Sequence, residues 1–261
     1  MIGFKIKFKG DVMILQKILI FAHRGSKGTH PENTMAAFQK AAEIGAEGIE
    51  FDVHLSSDGE LVIIHDETLD RTTTLTGYVK EHSAQRLKTA DAGSKFSSEF
   101  LGERIPFLMD VFDWAKGNDL LMNIEIKTDK LAYEGIEQKI IDLIHQYQME
   151  KRVILSSFNH QSIEKVKKLA PELERALLFE GLPENFEEIL RDKKESGFHP
   201  DKNSLTPAVN ETAKKLGYKI RPWVANDEAD IVRLAELGVD VIMTDFPEKA
   251  IKILKAWQAT S

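Results

Sequence analysis

From residue 18 to its end the chain alternates between short apolar runs and amphipathic stretches of helical period. "KILIFAHRG", "EGIEFDVHLS", "GELVIIHD", "LLMNIEIKT", "RVILSSF", "ERALLFE", "YKIRPWVA" and "VDVIMTD" read as eight strands. "NTMAAFQKAAEIG", "IPFLMDVFDWAKG", "AYEGIEQKIIDLIHQYQ", "NHQSIEKVKKLA", "TPAVNETAKKLG" and "DEADIVRLAELG" read as helices between them, with Asn159 starting one and Pro207 in the first turn of another. Strands apolar at both parities, interleaved with helices, are those of a parallel sheet covered on its face by helices. Eight of them favour a closed (β/α)8 TIM barrel over an open, doubly wound sheet.

Two places break the rhythm. The second and third runs are joined at Ser57-Asp58-Gly59, too close for a crossover helix, so one unit must be irregular. Residues 67–105 are polar and lack a long apolar period, and they follow directly on His65-Asp66. A connection of that length is expected to be a small insertion after the third strand, lying over one end of the barrel. Leu87, Phe96, Phe100 and Leu101 are its candidates for packing. Residues 1–17 read as an N-terminal extension, with Met13 as an alternative start, and residues 18–261 as the barrel. The apolar run near the start is interrupted by Gln16 and Lys17 and leads straight into His23-Arg24, unlike a cleavable signal. No segment reaches the roughly 18 apolar residues of a membrane span. The expected setting is the cytoplasm, without stable membrane insertion.

Composition removes several classes of function. With 35 Lys and Arg against 42 Asp and Glu, the formal net charge of -7 argues against a nucleic-acid partner. The absence of cysteine excludes disulfides, thiolate zinc sites and thiol nucleophiles. Phosphate loops, dinucleotide glycine fingerprints, nucleophile elbows and His-Glu-x-x-His helices are absent as well.

Sites on parallel barrels collect at the carboxyl ends of the strands. His23 and Arg24 stand there at a Gly-rich turn, two cationic or near-cationic groups that invite an anion. Glu50, Asp52 and His54 share one parity on the second strand, as do Asn123, Glu125 and Lys127 on the fourth. Other strand ends offer His65-Asp66, Arg221 and Trp223, and Thr244-Asp245. Three carboxylates from two strands, Glu50, Asp52 and Glu125, suit one hard divalent cation, Mg²⁺ or Ca²⁺. The competing reading pairs these acids with Arg24 and Lys127 alone. His23 and His65 are the natural acid and base near neutral pH, and Arg24 offers a planar fork to an anionic oxygen. Trp223 stands where a pocket wall would be. His54 is open to either a site or a supporting role, while His30, His82, His145 and His160 read as loop or surface groups.

"AHRGSKGTHPENTMAAF", "GIEFDVHLSSDGELVIIHD", "LDRTTTLTG", "DAGSKF", "GERIP", "NIEIK" and "GVDVIMTDFP", in this order, resemble the glycerophosphodiester phosphodiesterases over residues 18–256. The resemblance implies a (β/α)8 barrel with a small insertion after the third strand. It places His23 and His65 at the catalytic histidine positions and Glu50, Asp52 and Glu125 at those of a divalent metal. Arg24 and Lys127 take the phosphate-contacting positions, and Trp223 lies in the segment lining the substrate pocket. The implied reaction is hydrolysis of a small glycerophosphodiester to glycerol 3-phosphate and an alcohol. Phe107 and Met109 stand where the family usually has Thr and an acid, and "WVAND" where "WTVN" is common; these departures bear on substrate preference. A lysophospholipase D-like activity is the nearest alternative. A metal-dependent barrel lyase and a non-catalytic phosphate-ester binding protein are more distant ones. Oligomeric state is left open.

Overall fold

The computed structural model describes residues 5–7, 12–14 and 17–260. Most of the extension read over residues 1–17 lies outside the described residues; within it, β1 (Lys5–Lys7) and β2 (Val12–Ile14) pair antiparallel. The strands that follow are β3 (Leu19–His23), β4 (Gly48–Leu55), β5 (Leu61–Ile63), β6 (Leu121–Ile126), β7 (Val153–Ser157), β8 (Glu174–Phe179), β9 (Gly197–Pro200), β10 (Lys219–Ile220) and β11 (Val241–Thr244). Eight of these nine, all except β5, lie side by side in the order β10-β9-β8-β7-β6-β4-β3-β11, with parallel ladders between neighbours. The two ends of this row meet. Asp240 N–H donates to Ile220 O at 2.9 Å, Met243 N–H to Pro222 O at 3.2 Å, and Ala225 N–H to Met243 O at 2.9 Å. The result is a nearly closed barrel.

The expected (β/α)8 architecture is present, but one of its eight members differs from the sequence reading. "GELVIIHD" forms β5, which pairs antiparallel with β4 (Val53↔Ile63, Leu55↔Leu61) as a hairpin outside the ring. Its place is taken by β9, inside "ESGFHP", which sequence patterning passes over. The physical reason is plain in both cases. Alternation reports burial, not the partner, and β5 is buried between the barrel and the insertion. β9 has four residues, follows a polar helix and ends in a proline, so it shows no period at all.

Helices α1 (Met35–Glu43), α2 (Ala84–Leu87), α3 (Leu108–Ala115), α4 (Ile136–Tyr147), α5 (His160–Leu169), α6 (Phe186–Lys193), α7 (Pro207–Lys215), α8 (Glu228–Glu236) and α9 (Pro247–Thr260) follow in chain order. Their starts are chemically marked. Thr34, Asn159, Thr206 and Asp227 each accept a backbone N–H from the first turn of α1, α5, α7 and α8. Parity on β4 then decides which side chains face where. Ile49, Phe51 and Val53 pack outward with Phe38, Phe112, Ile124 and Ile140, and burying each such side chain contributes about 1.5–3 kcal/mol. Glu50 and Asp52 are left facing the barrel axis. Below them Phe21, Ile154, Ala176, Val241 and Met243 pack together inside the barrel.

The insertion, residues 67–105, is ordered and has its own core. Leu69, Val79, Leu87, Ile105 and Phe107 pack with Val62 and Ile64 of the β5 hairpin. Leu87 is fully buried as expected, whereas Phe96 and Leu101 are 47% and 74% exposed and do not serve as its core. Phe107 packs inward here, and the Asp110 carboxylate accepts its N–H at 2.9 Å. At this departure from the family pattern the side chain thus packs into a buried cluster.

Candidate active site

β3 delivers His23 to the mouth of the barrel, and the chain then turns through Arg24 (φ 53°) and Gly25 (φ 77°). Only glycine fits at Gly25, because a Cβ would lie 2.7 Å from the Ala37 backbone. The left-handed turn aims the Arg24 N–H at Glu50 Oε2 (3.0 Å) and its guanidinium at Glu32 (2.9 Å) and Asp52 (3.6 Å).

The ladder between β4 and β6 pairs Asp52 with Glu125 and Glu50 with Asn123, which sets the acids side by side. Glu50, Asp52 and Glu125 are all buried, and each offers one oxygen within 4.8 Å of the others. Asn33 donates to Asp52 Oδ2 at 2.9 Å, but Asp52 Oδ1 is buried without a hydrogen-bond partner among the described residues. Lys127 Nζ stands 3.8 Å from it and is bonded to Glu125 at 2.8 Å. Burial, then repulsion from Asp52 and Glu125, pushes Glu50 well above the usual carboxylate range. Burial and Asp52 push Glu125 up to about 7. Burial opposes ionisation of Asp52 too, but Arg24 and Lys127 hold it far below its ordinary value. Three crowded carboxylates, one with an orphaned oxygen, suit a hard dication, and together they form a divalent-cation site.

Two histidine–aspartate pairs flank this floor. His23 Nδ1 lies 2.6 Å from Asp245 Oδ1, just beyond β11, and its Nε2 lies 4.0 Å from Glu50. Asn226 donates to the other oxygen of Asp245 at 2.8 Å and accepts from the Asp245 N–H at 2.9 Å. His65 Nδ1 lies 2.6 Å from Asp66 Oδ1. Burial lowers both imidazoles below the ordinary histidine value, so both are predominantly neutral at pH 7. With Nδ1–H donated to a carboxylate, each ring keeps Nε2 as its available nitrogen.

His54 lies behind His65. Its Nδ1 meets Tyr133 Oη at 2.9 Å and its Nε2 meets the His65 carbonyl at 3.0 Å. Both nitrogens are used, and burial brings it down to about 4, so it is a neutral strut.

A cavity of about 350 Å³ opens above the carboxylates. His23, Arg24, Glu50, His65, Glu125 and Lys127 line one side, and Phe158, Leu178, Trp223 and Met243 the other. Trp223 stands edge-on to Phe158 (5.5 Å between ring centres) and donates its Nε1–H to His199 O at 3.0 Å. All eight residues assigned a catalytic, metal or substrate role from the sequence thus converge, with Asp52 in the floor and seven on the walls. Arg221 does not join them. It faces a separate cavity at the amino-terminal end of the strands, where it is paired with Glu174. Sequence reasoning assigned no role to Asp245, Asn226, Asp66, Glu32, Arg71 or Asn33, the second layer that holds the first. Asp66 was visible as the neighbour of His65, and Asp245 as a polar residue at a strand end; the other four carry no local signal.

The sequence profile of the glycerophosphoryl diester phosphodiesterase family matches residues 23–249. A glycerophosphodiester phosphodiesterase of Caldanaerobacter subterraneus subsp. tengcongensis is 48% identical over 240 residues, covering 92% of this chain and 98% of that protein. A lysophospholipase D of Homo sapiens is 27% identical over 276 residues, covering 91% of this chain and 86% of its own length. Among solved structures, an Oleispira antarctica phosphodiesterase in complex with the product sn-glycerol-3-phosphate superposes with a TM-score of 0.82 at 30% identity, over 91% of this chain and 96% of that one. The likeness spans barrel, insertion and site alike, and the chain belongs to the glycerophosphoryl diester phosphodiesterase family.

Proposed function

We propose that this chain carries out the metal-dependent hydrolysis of glycerophosphodiesters to glycerol 3-phosphate and an alcohol, with His23 and His65 as its proton-transfer pair. The observation that carries this reading is the pairing itself: two imidazoles, each held at 2.6 Å by a carboxylate, on one cavity above a divalent-cation site.

Glu50, Asp52 and Glu125 would hold a divalent cation, which when bound would supply positive charge to offset that of the phosphodiester. Arg24 and Lys127 add fixed donors beside it, and both stay charged because buried acids surround them. One histidine takes the proton of the attacking hydroxyl at Nε2 as the new P–O bond forms. The other acts from its imidazolium form, the minor form at pH 7, and gives its Nε2 proton to the departing alkoxide as the old P–O bond breaks. The attacker is water or the neighbouring hydroxyl of the substrate's own glycerol, and trapping a cyclic phosphate separates the two routes. Trp223, Phe158 and Met243 exclude water from the carbon skeleton on the far wall.

Lys127 argues against lyase chemistry through a Schiff base. Glu125 and Asp52 outweigh its burial and hold the amine above its ordinary value, so it is not a free nucleophile. Lysophospholipids remain a second substrate class, favoured by the apolar wall and by the name of the human relative. A cytoplasmic site of action belongs to the same proposal, and cell fractionation tests it. Among the described residues no helix is long and apolar enough to cross a membrane. Assays of glycerophosphocholine, glycerophosphoethanolamine, glycerophosphoglycerol and a lysophospholipid, side by side with added Mg²⁺ or Ca²⁺, should show glycerol 3-phosphate released from the first three. Undiminished turnover in excess chelator, or binding of all four without turnover, would overturn the reading.

A further inference from the structure

We propose that Arg71, carried by the insertion, is a positioning residue that couples His65 to Arg24 by gripping the carboxylate behind each. The inference rests on the functional reading above and extends it to a part of the chain outside the barrel.

One guanidinium makes two forks. Toward Asp66, Arg71 Nε donates to Oδ2 at 2.7 Å and Nη2 to Oδ1 at 3.0 Å. Toward Glu32, Nη1 donates to Oε2 at 2.8 Å and Nη2 to Oε1 at 2.7 Å. Each acceptor already holds a group of the site: Asp66 Oδ1 meets His65 Nδ1 at 2.6 Å, and Glu32 Oε1 accepts from Arg24 Nη1 at 2.9 Å. The line His65–Asp66–Arg71–Glu32–Arg24 is thus continuous, and it crosses from the β5 hairpin to the turn after β3.

Exposed ion pairs contribute little to stability, and Arg71 is 48% exposed, so a decorative role is the first alternative. Three observations weigh against it. Glu32 is nearly buried (10% exposed) and is driven down, against its burial, to about 2 by Arg71 and Arg24. The backbone that presents Arg71 is pinned: Leu69 is fully buried and bonded to Gly77, and Thr73, also buried, donates both its N–H and its hydroxyl to Leu69 O. Only a planar fork with donors on three nitrogens can serve both carboxylates at once; lysine, a point charge, can serve one. The stability of the insertion has another source, the cluster around Leu69, Val79 and Leu87.

Steady-state kinetics on glycerophosphocholine at saturating divalent cation would test the coupling. Asp66→Asn should lower kcat with little change in KM, and Glu32→Gln should mainly raise KM. Arg71→Ala should do both, with kcat down on the order of tenfold, and Arg71→Lys should restore at most one of the two. Arg71→Ala should have almost no further effect on kcat in an Asp66→Asn background, nor on KM in a Glu32→Gln background. Its melting temperature should stay near that of the parent. A wild-type profile for Arg71→Ala, or effects that simply multiply in both double variants, would overturn the coupling. Nitrogen-15 spectra of the imidazoles read the same line without turnover: Arg71→Ala should move the Nδ1 resonance of His65 and leave that of His23. If the parent protein showed no turnover while this selective shift appeared, the functional reading would fall and the coupling would stand. An unmoved His65 resonance would overturn the coupling alone.

Discussion

The two histidine–aspartate pairs have the same bond length and different surroundings. His23 and Asp245 are 11% and 16% exposed, come from opposite ends of the chain, and are braced by Asn226 inside the seam where the barrel closes. His65 and Asp66 are adjacent in sequence, 26% and 27% exposed, and braced by Arg71 from the insertion. In the first pair the fold itself sets the geometry. In the second, local sequence sets it and an added element fixes it. Equal distances therefore do not imply equal energetic weight: a bond in a drier place is stronger, and its loss leaves a costlier orphan.

The largest perturbation is one both pairs should feel. Chelation should abolish turnover whichever histidine is acid, because both stand on the same cavity as the carboxylates. The cation's hold should also depend on pH. Glu125, at about 7 instead of the ordinary 4.5, keeps its proton below neutrality, so cation affinity should fall as pH falls through about 7. In the cation-free protein the sign for stability is the reverse: this raised acid contributes most below the unfolded value and loses its contribution as pH rises through about 7. The rise in melting temperature on adding Mg²⁺ or Ca²⁺ should accordingly be larger at about pH 8 than at about pH 5.5. A rise independent of pH would remove Glu125 from the ligand set.

Next in size are the histidines. His23→Ala and His65→Ala should each lower kcat by on the order of 10²-fold or more. A nitrophenyl ester, whose leaving group needs no proton, should rescue only the variant lacking the general acid. Equal rescue of both would dissolve the division of labour between the pairs.

The aspartates sharpen the contrast. Loss of a charge-assisted bond is worth roughly 1.5–3 kcal/mol, or about 10- to 100-fold in rate. Asp245→Asn should fall at the upper end, since the pair is buried and Asn226 must also find a new partner. Asp66→Asn should fall at the lower end, since solvent reaches it. The opposite order, read from kcat, would mean that burial does not govern the difference. The smallest effect should be on folding: Asp245→Asn about 1–2 kcal/mol in urea melts, Asp66→Asn below about 1.

The same contrast separates what could be read from the sequence from what could not. Strand parity announced Glu50, Asp52 and Glu125, because an acid inside an apolar run needs a reason to be there. His23 and His65 were legible as strand-end histidines, and Asp66 as the immediate neighbour of one. Asp245, 222 residues from its histidine, has no local mark tying the two together. Glu32 and Arg71 look like ordinary surface charges until the insertion folds back across the turn after β3. The exchange of β5 for β9 has the same cause. Periodicity reports how a segment is buried and is silent about what lies beside it.

The seam between β10 and β11 has a consequence in time. A ribosome releases His23 early and Asp245 only after more than two hundred further residues. Glu50, Asp52 and Glu125 all emerge in the first half, and neighbouring strands β4 and β6 already bring them together. The residues of the metal floor are therefore all synthesised long before β11 arrives to orient His23. Contacts of such sequence separation are also the slowest to form. In the proposed mechanism, phosphodiester cleavage would switch on late in synthesis and all at once, and its onset would mark the arrival of a finished barrel.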